Sequence, residues 1–487
     1  VIKKIGLFGT QDFSGAQHIV RVFFPGCQIT YEEEAELCIW CQTEEEDDTF
    51  TCHVRLQDDA GRTETAKEQI LKPYEGKKKQ SCLYRAIFTV LSQYTGRKPP
   101  WGILIGVRPV KLLQNMLGEG WSKAQVEEIL SKEYLVSQEK IGLLFTILEV
   151  QQPIMGSFLK NNYSLYISIP FCPTKCSYCS FVSHSVEGAG HLIGPYLEKL
   201  SEELCQLGQL AKENDLCLDS IYIGGGTPTI LTPLQLDGLL DTVASHFPVK
   251  ISREYTVEAG RPDTIDEEKL WIMRKRGVNR ISINPQTMND ETLRLIGRRH
   301  SAKETVKAFY MARRVGFDNI NMDLIAGLPQ ESCEMFANTL DKVLELDPES
   351  LTVHTLSMKR GSKLSQGSHN MDQEPIAAHM LTHLEKRIKQ TSYLPYYLYR
   401  QKNMKDSLEN TGYCKEGKEC IYNIAAMEEA ETILAAGAGA VTKIVCQKSG
   451  KIDRIFNFKF PYEYNRQIDS TTAVSSLKSF FSKGQME

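Results

Sequence analysis

The sequence has no apolar run approaching the length of a membrane span, so nothing in it reads as a transmembrane helix. It has little excess charge. Its 57 Lys and Arg face 61 Asp and Glu, a formal net charge of −4, which points to neither nucleic acid nor a membrane surface as partner. The charged start, Val1-Ile-Lys-Lys-Ile-Gly6, is not followed by an apolar stretch long enough for a signal peptide. Fourteen cysteines are present, but without the spacing of a disulfide framework. Free thiols plus one metal site in a reducing cytoplasm are expected. No repeat of the solenoid kind occurs. What remains is an ordinary globular composition, 41% apolar and 24% charged, in 487 residues. That length suits two or three domains with sizeable cores.

The most informative stretch is Ser168-Ile-Pro-Phe-Cys-Pro-Thr-Lys-Cys-Ser-Tyr-Cys-Ser-Phe181. It follows a short apolar strand, Leu165–Ile169, and places Cys172, Cys176 and Cys179 in a CxxxCxxC spacing. Thiolates are soft donors that suit iron, and three on one loop can converge on a small iron–sulfur cluster. They cannot close a four-iron cluster alone, so one iron keeps an open position. A zinc ribbon would use paired CxxC arms instead. Three free thiols or a zinc site remain the alternatives on spacing alone. Cys38 and Cys41 also form a CxxC, with Cys27 and Cys52 nearby. They lie in an apolar strand-like run, where buried thiols are the commoner outcome.

Residues 1–160 read as an N-terminal α+β domain. Ile19–Phe24 and Thr49–Arg55 are β-rich, and Ser81–Tyr94 has helical spacing. The acidic runs Glu32–Glu34 and Glu44–Asp48 read as solvated loops between strands. The run from Trp101 to Leu112, with Arg108-Pro109, suits a structural turn or a contact with an anionic ligand.

Residues 161–375 alternate strand and helix. Strands are expected at Leu165–Ile169, Ser220–Ile223, Glu254–Ala259, Arg280–Asn284, Asn319–Ile325 and Ser350–Leu356. Helices are expected near 194–209, 232–246, 266–276, 302–315 and 333–345. Three capping boxes, Thr232…Gln235, Thr264…Glu267 and Ser301…Glu304, mark helix starts. Such alternation implies parallel strands, and six units close only a partial, TIM-like (β/α)6 barrel. Its working residues should gather at the C-terminal strand ends. There lie the cysteine loop, Gly224-Gly-Gly-Thr-Pro-Thr229, Glu258, Asn284-Pro-Gln286 and Asp323. Glu258, Gln286 and Asp323 on one rim read as a polar pocket.

Residues 376–487 read as a C-terminal α/β extension covering the substrate. Ile376–Lys389 and Ile424–Ala436 are expected to be helices, the second running into the Gly437-Ala-Gly-Ala440 turn. Tyr393–Arg400 is aromatic enough for a large planar ligand or subunit packing, although core packing is commoner. Residues 465–487 read as a docked or frayed tail.

At this point the chain resembles a known family. The stretches Ile169–Cys179, Gly224–Thr229, Val257–Thr264, Arg280–Gln286, Ile320–Ile325 and Tyr396–Lys402 are similar to those of the radical S-adenosylmethionine (SAM) superfamily. Within it they resemble the oxygen-independent coproporphyrinogen III oxidase group. With Gly106-Val-Arg-Pro109 and the long N-terminal domain, the HemZ-type members match over most of the chain. The resemblance implies a [4Fe–4S] cluster on Cys172, Cys176 and Cys179, with SAM chelating the open iron. It implies that Tyr166 and Tyr178 line that site, Tyr166 counting among the catalytic residues. It places Gly224, Gly225, Gly226 and Thr227 at the methionine end of SAM. Glu258, Gln286, Arg298 and Asp323 would contact one SAM or a second, and Ser357 and Lys443 align with further contacts.

The reaction so implied begins with one electron from a flavodoxin- or ferredoxin-type donor. Reductive cleavage of SAM gives a carbon radical that takes a hydrogen from a propionate β-carbon of coproporphyrinogen III. Loss of CO2 and an electron leaves a vinyl group, and two rounds give protoporphyrinogen IX. Arg298, Arg299 and Arg400 are candidates to grip the substrate carboxylates. The pattern departs from the oxidases at two places. Phe181 stands where they carry a fourth cysteine, and Ser168 where they carry a histidine. Haem-carrying relatives without oxidase activity share the first departure. A haem-binding or haem-delivery protein, or an anaerobic haem-degrading radical SAM methyltransferase, are therefore the alternatives.

Overall fold

The structure is a computed structural model. It describes every residue except 1, 11, 32–33, 74–75, 107, 182, 358–375, 402–406, 447–450, 468–471 and 483–487. Glu32 and Glu33 of the first acidic run, Val107 and Lys402 therefore fall outside the described residues. The chain divides into two compact units. One holds residues 1–148 with 371–378 and 399–409; the other holds 149–370, 379–398 and 410–487.

The first unit begins with β1 (Lys4–Phe8), α1 (Phe13–Phe23), β2 (Gln28–Thr30), β3 (Leu37–Glu46), β4 (Thr49–Asp58) and β5 (Thr63–Leu71). α2 (Gly76–Thr95), α3 (Pro109–Gly118), α4 (Lys123–Glu128) and most of α5 (Gln138–Met155) follow. The sheet order is β2-β1-β3-β4-β5, parallel through β3 and antiparallel beyond it. Ile19–Phe23 is helical rather than β, and Phe24 is its C-cap. Ala16, Ile19, Val20 and Phe23 are buried at helical spacing, and the Asp12 carboxylate caps the Gly15 amide at 3.1 Å. Glu44–Glu46 extend β3 into its hairpin with β4 instead of forming a loop. Cys38 and Cys41 stand three apart in a strand, so their side chains leave opposite faces and cannot share an ion. Cys41 joins Cys27, Cys52 and Cys82 in the apolar core.

The second unit continues with β6 (Asn162–Ile169), β7 (Phe171–Cys172), β8 (His184–Ser185), α6 (Val186–Ala189), α7 (Ile193–Glu213), β9 (Cys217–Gly225) and α8 (Pro233–His246). Then come β10 (Glu254–Glu258), α9 (Glu267–Lys275), β11 (Arg280–Ser282), α10 (Asp290–Leu295), α11 (Ala302–Val315), β12 (Ile320–Ala326), α12 (Cys333–Leu346) and β13 (Ser350–Thr355). Strands β6, β9, β10, β11, β12 and β13 are adjacent and parallel, the six-unit partial barrel. Full capping boxes start α8 and α11. The third falls elsewhere. Asp266, not Thr264, caps α9, and the Thr264 hydroxyl donates to the Arg261 carbonyl at 2.8 Å.

The chain ends with α13 (Ile376–Ile388), β14 (Leu394–Tyr399), β15 (Asn410–Cys414), α14 (Ile421–Glu428), β16 (Thr432–Ala436), β17 (Val441–Val445), β18 (Ile452–Phe456), α15 (Pro461–Asn465) and α16 (Thr472–Ser482). These strands extend the barrel sheet to eleven, in the order β14-β15-β13-β12-β11-β10-β9-β6-β16-β17-β18. Residues 161–375 and 376–487 thus share one sheet. The expected helix Ile424–Ala436 is two elements. Glu429 takes a left-handed conformation (φ 53°) that ends α14, and Thr432–Ala436 pairs parallel to β6. Tyr396, Tyr397 and Leu398 of β14 are buried, so the aromatic stretch packs in the core. In the tail, α16 buries Val474 and Leu477.

Candidate active site

Strand register explains why the distinctive residues meet. Ser168 and Ile169 at the end of β6 pair with Gly224 and Gly225 at the end of β9. Val257, beside Glu258, pairs with Ile223, and Glu258 with Ser282. Gln286 bridges to Leu324, beside Asp323. One rim therefore carries the cysteine loop, the glycine turn, Glu258 and Gln286, with Ser357 just past the end of β13. Lys443 is not on that rim. It pairs with Ile433, which pairs with Ser164 near the start of β6.

The cysteine loop is pinned to the barrel by its backbone. The Gly226 amide donates to the Ile169 carbonyl at 2.8 Å, and the Thr227 amide to Phe171 at 2.8 Å. A β-carbon on Gly226 would lie 2.6 Å from the Phe171 carbonyl oxygen, and Gly225 has φ +103°. Here the glycines first allow the second strand end to touch the loop. On the other side the Ser177 amide donates to Ile296 at 3.0 Å, and the Thr174 hydroxyl to Gly297 at 3.0 Å.

The sulfurs have polar company. The Thr227 hydroxyl lies 3.5 Å from Cys172 Sγ, and the Arg261 guanidinium 3.7 Å from Cys176 Sγ. Arg261 is held by Asp263 at 3.0 Å. Burial pushes the Cys172 and Cys179 thiols up, and a bound metal would favour their thiolates. Among the described residues no three His, Cys, Asp or Glu are grouped tightly enough to hold one metal ion. A four-iron cluster seats each thiolate on a different iron, which asks for wider spacing. All fourteen cysteines are free thiols.

Inside the rim, Arg298 donates to the Gly260 carbonyl at 2.9 Å, the Asn284 carbonyl at 3.0 Å and the Tyr178 hydroxyl at 3.0 Å. Gln286 holds a left-handed conformation (φ 67°), a strain that non-glycine residues keep where structure imposes it. Among the described residues, Gln286 Oε1, Asn284 Oδ1 and Arg298 Nε are buried without a hydrogen-bond partner. Unpaired polar atoms at one rim fit a polar ligand such as SAM, which brings amino, carboxylate and hydroxyl groups. Glu258 accepts the Tyr222 hydroxyl at 2.6 Å, and burial raises its carboxyl to about 7, helped by the Asp323 charge. Burial also raises Asp323, but His354, 3.7 Å away, and the Asn321 amide at 2.7 Å outweigh it and hold it low. Tyr166, Tyr222 and Tyr422 stack in turn, with centroids 4.4–6.3 Å apart.

The three candidate arginines part company. Arg298 is spent on the rim as described. Arg299 is exposed and paired with Glu187 at 2.7 Å. Arg400 is buried in the first unit, over the Trp101 ring at 5.0 Å and bonded to the Leu104 and Ser407 carbonyls. It is therefore corrected from a carboxylate grip to a structural cation. Sequence reasoning did not single out Tyr222, Arg261 or His354. Alternation alone places Tyr222 on the face of Gly224. Tyr422 was hidden because α14 begins earlier than its apolar run suggests.

Comparison with known proteins follows the same lines. The family described as "Radical SAM superfamily" matches residues 166–343. Over 99% of both chains, the sequence is 40% identical to the "Oxygen-independent coproporphyrinogen-III oxidase-like protein HemZ" of Bacillus subtilis (strain 168). It is 38% identical to the "Heme chaperone HemW" of the same organism over 40% of this chain and 50% of that one. In structure it matches coproporphyrinogen III oxidase (HemN) from Escherichia coli, a radical SAM enzyme. The TM-score is 0.51 at 23% identity, over 67% of this chain and 77% of that one, which is a likeness of fold.

Proposed function

We propose, from the premise that this chain belongs to the radical SAM superfamily and within it to the oxygen-independent coproporphyrinogen-III oxidase-like HemZ family, that it oxidatively decarboxylates coproporphyrinogen III to protoporphyrinogen IX. The family's cofactors are a [4Fe–4S] cluster and SAM. The observation that carries the reading is the rim itself. Three cysteines share it with buried, unpaired polar atoms of Asn284, Gln286 and Arg298. Cys172, Cys176 and Cys179 would hold the cluster. Arg261 and Thr227 would offset negative charge on the sulfurs. Gly224–Thr227, Glu258, Gln286, Arg298, Asp323 and Ser357 would contact SAM, with Tyr166 and Tyr178 lining its place. When bound, the cofactor pair supplies a carbon-centred radical able to take hydrogen from an unactivated carbon. The chain's part is to orient the substrate, exclude water and set the charge of Glu258 and Asp323 beside it.

A second reading is haem binding or delivery without oxidase chemistry. Phe181 in the place of a fourth cysteine and the likeness to the heme chaperone favour it. Anaerobic reconstitution with iron and sulfide, then dithionite, SAM and either coproporphyrinogen III or haem, separates the two by mass spectrometry. Vinyl products from coproporphyrinogen III support the oxidase. Haem bound and recovered intact, with no turnover of coproporphyrinogen III, supports delivery. Haem consumed with transfer of a SAM methyl group would make the chain a degrading methyltransferase. Cys176→Ala should abolish both the brown chromophore and SAM cleavage.

A further inference from the structure

We propose that Arg261 sets how readily the cysteine-bound cluster accepts its electron, by aiming a buried guanidinium at the Cys176 sulfur while Asp263 tempers its charge. The inference rests on the cluster reading given above. Arg261 follows β10, and its side chain is only 4% exposed. Its backbone is fixed first. The Thr264 amide and hydroxyl both donate to the Arg261 carbonyl, at 2.9 and 2.8 Å. The same hydroxyl meets that of Thr229, in the glycine turn, at 2.7 Å. The guanidinium is then committed on every side. Nε and Nη2 donate to the two Asp263 oxygens, each at 3.0 Å. Both Nη atoms reach the Thr174 hydroxyl at 3.2 Å, and Nη1 reaches the Thr174 carbonyl at 3.4 Å. Nη1 also lies 3.7 Å from Cys176 Sγ. With its donors directed to Asp263, Thr174 and Cys176, the fork is not at hand for a substrate carboxylate.

The sign of the effect follows from charge. One added electron makes a thiolate-bound core more negative, so a nearby cation stabilises the reduced form and raises its potential. Burial keeps salt from screening the effect. Lys175, the loop's own cation, is exposed, and its charge is screened. Asp263 is the counterweight. Burial would raise its carboxyl, but His300, 3.6 Å away, and Arg261 outweigh this and hold it low, so it carries its charge. Arg261 thus faces the sulfur as half of an ion pair, and its pull is partial. An Arg261 that merely held the loop through Thr174 would act with the opposite sign. Cutting that tie admits water to the sulfurs, and water, like a cation, favours the more negative form.

The test measures the midpoint potential of the reconstituted full chain, without SAM, by anaerobic titration with dithionite followed by electron paramagnetic resonance. Iron and sulfide are assayed on the same samples. Arg261→Gln is expected to shift the equilibrium about tenfold against the reduced form, which is about 59 mV for one electron. Asp263→Asn, which leaves the guanidinium unopposed, should shift it the other way. A potential in Arg261→Gln equal to the parent's overturns the proposal. So does a higher one, which would mean that Arg261 only holds the loop. A fall in both variants overturns it as well, since Asp263 would then not be the counterweight. Should Arg261→Gln hold no iron, Asp263→Asn decides, and a potential no higher than the parent's overturns the proposal. A parent chain that takes up no iron and sulfide overturns the proposal together with the cluster reading. That result is distinct from a full cluster whose potential ignores both substitutions, which overturns the proposal alone.

Discussion

The Tyr196 hydroxyl donates to the backbone carbonyl of Ser168 at 2.6 Å and accepts the Ala438 amide at 3.0 Å. One oxygen thus joins α7, the end of β6 and the turn after β16. Ser168 returns the tie, its hydroxyl donating to the Ala438 carbonyl at 2.9 Å. Nearby, buried Glu203 accepts the Gly437 amide at 2.8 Å, Asn457 at 2.7 Å and the Tyr464 hydroxyl at 2.5 Å. Tyr196→Phe leaves a buried amide and a buried carbonyl unpaired. The expected loss of stability is about 2 kcal/mol. Chemical denaturation checks it, and iron retention in air should shorten alongside, since the brace ends four residues before Cys172.

Arg298→Ala removes three hydrogen bonds and the cation that the Tyr178 hydroxyl meets. SAM affinity is expected to fall by about 100-fold, equivalent to roughly 3 kcal/mol. Iron content should stay near that of the parent, because Arg298 bonds to no cysteine sulfur in the described contacts. Titration with SAM and iron analysis on the same samples separate the two effects.

Glu431 is buried at the start of β16, bonded to the Ser164 hydroxyl, which in turn meets Ser220 at 2.6 Å. Burial, and then the Asp219 charge, raise its carboxyl to about 8 against the Ser164 bond. The folded chain therefore binds a proton that the unfolded chain releases near its ordinary value of 4.5. Between these values stability declines as pH rises, and above about 8 the full cost of the buried charge is present. Glu431→Gln should flatten this slope and stabilise the fold at pH 8 by about 2 kcal/mol. Melting curves of parent and variant from pH 5 to about 8.5 test the sign. A variant less stable than the parent at the alkaline end would refute it.

In the first unit, Lys140 Nζ meets Glu409 Oε1 at 2.5 Å, and Trp101 donates to Glu409 Oε2 at 2.6 Å, all buried. Glu409→Ala removes the buried carboxylate that both the Lys140 ammonium and the Trp101 indole N–H meet. A loss of about 4 kcal/mol is expected. The double variant Lys140→Met/Glu409→Leu should recover most of it, which denaturant titration can show.

The parallel strands were legible because each is a short β-branched run followed by a helix with a marked start. Thr232 and Ser301 cap as their motifs require, whereas Thr264 loses the cap to Asp266, two residues nearer the helix. Ile19–Phe24 misled because β-branched residues also fill a helix face when a neighbouring sheet buries it. Thr432–Ala436 escaped because no glycine or proline separates it from α14. Only the backbone at Glu429 marks the break. Among site residues, those at strand ends followed from counting. The fate of Arg400 and Lys443 depended on pairings hundreds of residues apart, which local pattern does not carry.

The parallel pairing of Thr432–Ala436 with β6 joins segments some 270 residues apart. During synthesis, the first barrel strand therefore keeps one open edge until residues 432–436 have left the ribosome. Ser168 waits equally long for Ala438, and with it the footing of the cysteine loop. Iron and sulfide delivered to a nascent chain would meet a loop not yet braced, so maturation is coupled to completion of translation through residue 438.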